Sequence, residues 1–255
     1  MMKVAVQGYT IRDFTKTPKD FAKACKRIKQ IGYDAIQVSK FATISAKETR
    51  KILDDTGLVC CGTGRNLDVL KADPEKAIEE HQILGTSNCA IGGFFPPENV
   101  WNRKLWETFA KEFNKVAKTL AKGGLGLGYH NHSHEFVMAG DIRPIDFLLA
   151  RLEAPCWFQL DTYWVSVAGA DPAEYIRRCA GRIPCLHIKE TMPQRDRTML
   201  MGEIGDGTQN WPAIFEAARY AGTKWLIVER DNGLLDPFDS LARSLENLHN
   251  KFNLY

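Results

Sequence analysis

Short apolar segments alternate along this chain with longer stretches in which large apolar residues return every three or four positions. The short segments predict strands at 4–9, 35–39, 58–62, 88–92, 125–131, 157–161, 184–189 and 225–229. Between them the spacing predicts helices. The clearest covers 103–122, where Trp106, Phe109, Phe113, Val116 and Leu120 share one face. Other helices announce their ends: Thr17-Pro18-Lys19-Asp20 opens one that Gly32 stops, Ser45 and Glu48 frame one that ends at Gly57, and Asp73-Pro74-Glu75 opens one that ends at Gly85. Further helices are expected near 144–152, from Asp171-Pro172 to Gly181, and at 211–220 and 237–252, with a long polar loop over 190–210. Eight strand-helix units in 255 residues, with no Pro/Ser-rich linker, predict one (β/α)8 TIM barrel spanning 1–255 as a single domain. A doubly wound sheet is the main competitor. Its dinucleotide-binding turn wants three glycines, and Gly8-Tyr9-Thr10-Ile11-Arg12-Asp13 has one.

Successive strand residues face opposite ways, so parity separates those that pack on the helices from those that fill the barrel. Phe158 and Leu160 oppose Gln159 and Asp161; Leu186 and Ile188 oppose Cys185, His187 and Lys189; Leu226 and Val228 oppose Ile227, Glu229 and Asp231. Val4 and Val6 oppose Gln7 and Tyr9, and strand two sends Gln37 and Ser39 inward. In the fifth strand Leu125 and Leu127 turn outward, which sends Gly126, Gly128, His130 and His132 inward. Polar groups from six strands are thereby aimed at one pocket, at the carboxyl ends where such barrels place their chemistry.

Composition narrows the partners. With 34 basic and 31 acidic residues, a formal charge of +3 and no basic run, nucleic acid and anionic membranes are poor expectations. Seven scattered cysteines without a C-x-x-C pair, and a start that enters a strand with no long apolar leader, read as a soluble cytoplasmic protein. Chemistry concentrates in Tyr129-His130-Asn131-His132-Ser133-His134-Glu135-Phe136, which holds three of the six histidines. Asp161, His187 and Glu229 fall at about one level of neighbouring strands. Two carboxylates and an imidazole there suit Mn²⁺, Mg²⁺ or a similar cation, with zinc less favoured in the absence of cysteine ligands. By strand level His130 or His132 completes the set. His134 has loop parity, and His81 and His249 lie on helices where solvation is expected. Phe94 and Trp164, near strand ends, are candidate platforms for a sugar ring, Cys185 is given no catalytic role, and Arg195-Asp196-Arg197 reads as a solvated turn.

The segments YHNHSHEF, LDTYWVSVAGADP, GRIPCLHIKE, EIGDGTQNWPAIF and VERD, with VQGYTIRD at the start, resemble in order and spacing the sugar phosphate isomerase/epimerase family with the xylose-isomerase-like barrel. The resemblance implies one divalent metal ion, Mn²⁺ ahead of Mg²⁺, Co²⁺ or Zn²⁺, held by Glu135, Asp161, His187 and Glu229. Glu135 has the parity opposite to His130 and His132 and reaches the ion only if the chain turns after His132. The sequence departs from the family at Gln37, where many relatives carry an acidic residue, and at Glu190, where aspartate is common.

The resemblance further implies proton transfer beside a carbonyl of a sugar, keto-sugar or sugar phosphate through a metal-stabilised enediolate. Glu229 and Glu135 are expected as paired acid-base groups, and His130, His132 and Lys189 as groups that place substrate hydroxyls. The alternatives are a lyase of the same family, inosose-dehydratase-like or cleaving 3-keto-glycosides, and a non-catalytic carbohydrate-binding barrel in which Asp161 and Glu229 merely pair with Lys189 or Arg230. A nuclease of the endonuclease IV branch would want more ligating histidines and a basic face. The expected partner is a small carbohydrate, and a homo-oligomer stays open.

Overall fold

Strand β1 (Lys3–Gln7) passes through a 3-10 turn at Gly8–Phe14 into helix α1 (Pro18–Ile31), and this unit repeats around the molecule. The computed structural model describes residues 2–39, 44–97 and 100–254. In order they form β2 (Ala35–Val38), α2 (Ala46–Thr56), β3 (Val59–Arg65), α3 (Leu67–Ala72), α4 (Pro74–Leu84), β4 (Asn88–Ile91), α5 (Arg103–Ala121) and β5 (Gly126–His130). Then come α6 (Pro144–Arg151), β6 (Trp157–Gln159), α7 (Thr162–Val167), α8 (Pro172–Arg178), β7 (Cys185–Ile188), β8 (Glu190–Pro193), β9 (Met199–Gly202), α9 (Trp211–Ala221), β10 (Trp225–Val228) and α10 (Pro237–Phe252).

The helix starts obey local chemistry. Thr17, Ser45, Asp73, Asn102, Asp171, Asn210 and Asp236 each accept a hydrogen bond from a first-turn N–H, which satisfies one of the donors a helix start leaves without a partner. Eight parallel strands make one sheet in the order β6-β5-β4-β3-β2-β1-β10-β7. Its two edges meet where Asp161 bridges to His187, whose N–H donates to Leu160 O at 2.9 Å, and the result is a nearly closed TIM barrel forming a single domain.

Strand residues divide by parity into two cores. Val4, Val6, Ile36, Leu127, Phe158, Leu186, Ile188, Leu226 and Val228 pack outward against the helices. Ala5, Ala35, Cys61, Ala90, Trp157, Cys185 and Ile227 fill the barrel floor. Trp157 can lie across that floor because β5 carries Gly128 opposite it, where a Cβ would come within 2.5 Å of the indole. The floor is apolar and mostly small, so the polar residues one step further along each strand rest on it as a separate layer.

Three expectations need correcting. The stretch 190–210 is not a plain loop: β8 and β9 pair as an antiparallel hairpin, with the exposed Arg195 and Arg197 at its tip. Two short helices, α3 and α7, escaped the periodicity, since six residues are too few to show a repeat and α7 begins directly at Asp161. His81 is buried rather than solvated. Its Nδ1 lies 2.6 Å from Ala77 O and its Nε2 2.6 Å from Thr63 Oγ1, while burial pushes it down to about 4. Among the described residues no helix is long and apolar enough to cross a membrane.

Candidate active site at the carboxyl ends of the strands

A cavity of about 910 Å³ opens above the polar layer. On one side it is lined by His130, His132, His187, Lys189, Glu229 and Asp231, and on the other by residues at and beyond the ends of β3 and β4, including Arg65, Phe94 and Phe95. The first side comes from strand ends that parity had aimed inward.

Three of these strand-end residues and Asp161 gather their donor atoms. Ligand atoms of His130, Asp161, His187 and Glu229 all lie within 4.8 Å of one another, and all four side chains are buried. His187 Nδ1 is 2.7 Å from Glu229 Oε2 and 3.9 Å from Asp161 Oδ2, and His130 Nε2 is 4.0 Å from that same oxygen. Local structure aims them. Asp161 uses Oδ1 to cap α7 through Trp164 N at 3.1 Å, and its N–H donates to Asn131 Oδ1 at 3.0 Å, which leaves Oδ2 facing His187 and Lys189.

Lys189, from the same face of the chain as His187, brings its ammonium to 3.0 Å from Asp161 Oδ2, 3.2 Å from Glu229 Oε2 and 3.0 Å from Asp231 Oδ2. Burial alone would discharge it, but the three carboxylates hold it charged. Glu229 is pushed up by burial and pulled further down by Lys189 and His187, so it ends well below the usual carboxylate range. Burial raises Asp161, against the pull of Lys189. His130 is held well below its ordinary value by burial and then by its neighbours His187 and His132, and His132 is pushed down to about 3 by burial and Lys189; both rings are neutral at physiological pH.

These residues fit a divalent cation. Asp161 Oδ2 and Glu229 Oε2 are buried with the Lys189 ammonium as their cationic neighbour, and His187 Nδ1, although 2.7 Å from Glu229 Oε2, has no aligned hydrogen bond. The Lys189 ammonium offsets part of the repulsion among these acceptors, and a divalent cation among them would offset the rest. The charges agree: three carboxylates and one ammonium leave two negative charges, which one divalent ion cancels. Two imidazoles and two carboxylates suit Mn²⁺, Fe²⁺, Co²⁺ or Zn²⁺.

Glu135 is not one of the gathered four. A 3-10 turn at His134–Phe136 does follow the strand, but it carries Glu135 to the helix side, where Oε1 accepts from Tyr129 Oη at 2.7 Å and Oε2 from His132 N at 2.8 Å. Burial raises this carboxyl to about 8. His130 occupies the strand-five place in the cluster instead, and His132 lines the cavity beside the Trp164 ring, centroids 5.1 Å apart. Phe94 is engaged by Trp106 and stacks on Phe109, whereas Phe95 is 64% exposed at the rim. Cys185 lies in the floor, its thiol pushed up to about 12 by burial. Two contributions carried no assigned role in the sequence: Asp231, the third carboxylate on Lys189, and a layer of Gln7, Gln37 and Gln159 beneath the cluster. Their signal was there, as polar residues of inward parity at matching strand levels.

The model of the Xylose isomerase-like TIM barrel matches residues 25–251. Among curated proteins the chain is similar to the rhizopine catabolism protein MocC of Rhizobium meliloti, 25% identical over 160 residues, 56% of this chain and 49% of that one. It is likewise similar to an inosose dehydratase of Clostridium beijerinckii, 25% identical over 193 residues, 67% of this chain and 62% of that one. The match thus spans about half to under two thirds of these relatives' own length. Among solved structures, a sugar phosphate isomerase/epimerase from Parabacteroides distasonis superposes with a TM-score of 0.82 at 22% identity, covering 100% of this chain and 96% of that one, a likeness of fold.

Proposed function

Because the chain belongs to the xylose isomerase-like TIM barrel family, we propose that it is a divalent-metal-dependent isomerase or epimerase of a sugar, keto-sugar or sugar phosphate, working through an enediolate. The observation that carries this reading is the convergence of buried ligand atoms from His130, Asp161, His187 and Glu229 beside a sugar-sized cleft. Those four residues would hold the cation, Mn²⁺ first and Mg²⁺, Co²⁺ or Zn²⁺ as alternatives, and it would supply Lewis-acid stabilisation to charge developing on substrate oxygens.

The chain's own groups do the rest. Glu229, kept ionised by Lys189, receives the proton from the carbon next to the carbonyl, and the C–H electron pair passes into the enediolate. Return of the proton by Glu229 to the neighbouring carbon isomerises, whereas epimerisation takes a proton from a second donor on the opposite face of the carbon. The Lys189 ammonium donates to the substrate's oxygens, and the neutral His132 ring, with Nδ1 unpartnered, accepts from a hydroxyl. Glu135, tied behind β5, is left out of both the ligand set and the acid-base pair.

A second reading is dehydration, favoured by the similarity to inosose dehydratase. The same proton removal then expels a β-hydroxyl as water. One experiment tests both: metal-loaded protein is incubated in D₂O with a panel of ketohexoses, their phosphates and inososes, and products are read by NMR. Deuterium beside the carbonyl with retained composition supports isomerase or epimerase, loss of water supports the dehydratase, and no exchange in any member overturns the proposal.

A further inference from the structure

We infer that Gln37 is a positioning residue: its side-chain carbonyl keeps a proton on Nε2 of His187 and so turns the bare Nδ1 toward Asp161 and Glu229, ready for a cation. The inference rests on the cation reading above.

It follows from one unambiguous donor. Side-chain amides are ambiguous as to which end is oxygen, but a backbone N–H is not. Tyr9 N donates to Gln7 Oε1 at 3.3 Å, and Ser39 Oγ lies 2.5 Å from that oxygen, so the other end of Gln7 is its NH₂. That NH₂ donates to Gln37 at 3.0 Å, so the atom of Gln37 facing it is Oε1. At the far end Gln37 Nε2 faces a backbone acceptor, Thr63 O, at 3.5 Å, and it exchanges two hydrogen bonds with the amide of Gln159 at 3.0 and 3.1 Å. The orientation of Gln37 is therefore determined from both sides.

His187 Nε2 sits 2.7 Å from Gln37 Oε1 and 3.3 Å from Gln7 Nε2. Were Nε2 bare, it would bond weakly to Gln7 at 3.3 Å and press a lone pair against the Gln37 oxygen at 2.7 Å. With a proton on Nε2 the short contact becomes a good hydrogen bond and only the long one is lost. His187 Nδ1 lies equally close to Glu229 Oε2, at 2.7 Å, but without hydrogen-bond alignment, so the aligned contact at Nε2 decides. Imidazoles that hold metals commonly have the far nitrogen fixed in this way, and the partner here is a neutral amide, itself held by two more amides and buried, with 1% exposure for Gln37.

The test uses the whole protein and the zinc ion, which is diamagnetic. Long-range ¹H–¹⁵N correlation spectra of metal-free and Zn²⁺-loaded protein report which ring nitrogen of His187 bears the proton, with His187→Gln identifying the signal. Zn²⁺ affinity is measured by competition with a chromophoric chelator for wild type, Gln37→Leu and Gln37→Glu. The expected results are a protonated Nε2 in both wild-type spectra, affinity about 10- to 100-fold weaker in Gln37→Leu, and recovery in Gln37→Glu, which restores an acceptor. A bare Nε2 in the wild type, or unchanged affinity in Gln37→Leu, overturns the inference. If Gln37→Leu fails to fold, the wild-type spectra still decide. If the wild type takes up no Zn²⁺, the cation reading fails, while the metal-free spectrum still reads the tautomer by itself.

Discussion

Replacing Lys189 with methionine keeps the aliphatic stem of the side chain and removes the ammonium with its charge. The ammonium is 1% exposed and lies 3.0–3.2 Å from oxygens of Asp161, Glu229 and Asp231. Each contact represents a gross attraction of roughly 5 kcal/mol at an effective dielectric of about 20, much of it offset by the desolvation of the lysine. What the substitution exposes is the asymmetry of buried ion pairs: three carboxylates lose their counter-charge at once, and leaving a buried charge unpaired costs about 3–5 kcal/mol. The sign with pH follows. Lys189 pulls both Asp161 and Glu229 down, so its removal raises them in the folded protein. A carboxyl raised on folding destabilises above its folded value and is relieved as pH falls through that value, so the loss should be largest near pH 8 and shrink toward pH 5. Urea denaturation followed by tryptophan fluorescence in the presence of a chelator reads the difference between wild type and Lys189→Met. A loss below about 1 kcal/mol at pH 8, or one independent of pH, would refute the electrostatic reasoning. Saturating Mn²⁺ should recover more stability in the variant than it adds to the wild type, because the variant's site carries one more negative charge.

His81 makes a separate acid-sensitive contribution. Its ordinary value of 6.5 is lowered to about 4 by burial, so the unfolded chain takes up a proton first; stability is complete above pH 6.5 and falls by about 3 kcal/mol as pH reaches 4. Parallel stability curves for wild type and His81→Gln over that range would contradict this. The ligand set is separable as well: Glu135→Gln should leave Mn²⁺ affinity nearly unchanged, since Tyr129 and His132 N–H occupy both its oxygens, whereas Asp161→Asn should weaken it about tenfold or more. Isothermal titration of both variants measures this, and the reverse order would return Glu135 to the metal.

The division between what could be read in the chain and what could not is clearest in strand five. Parity placed His130 and His132 toward the barrel, and both line the cavity. The turn that Glu135 needed to reach the ion also exists, at His134–Phe136, but there the carboxyl meets Tyr129 behind the strand. A turn's presence is signalled by local residues; the side to which it delivers a side chain depends on what is packed there, and here that is the aromatic face of α5 with Phe109 and Phe113 around Tyr129. His81 shows the same limit. Its helical position suggested solvent, and only the seating of α4 on β3 shows that Thr63 and Ala77 enclose it.

By itself the sequence determined the barrel: the eight strand-helix units, the caps at Thr17, Ser45, Asp73 and Asp171, and the inward parity of Gln37, Asp161, His187, Lys189 and Glu229. These depend on periods of 2 and 3.6 and on single-residue capping, which are local properties. The tertiary structure alone decided that His130 joins Asp161, His187 and Glu229, that Lys189 pairs with three carboxylates, and that Gln7, Gln37 and Gln159 bond to one another beneath them. Those contacts join strands far apart in sequence, and their levels are set by the stagger of the strands around the closed barrel, which no stretch of the chain encodes alone.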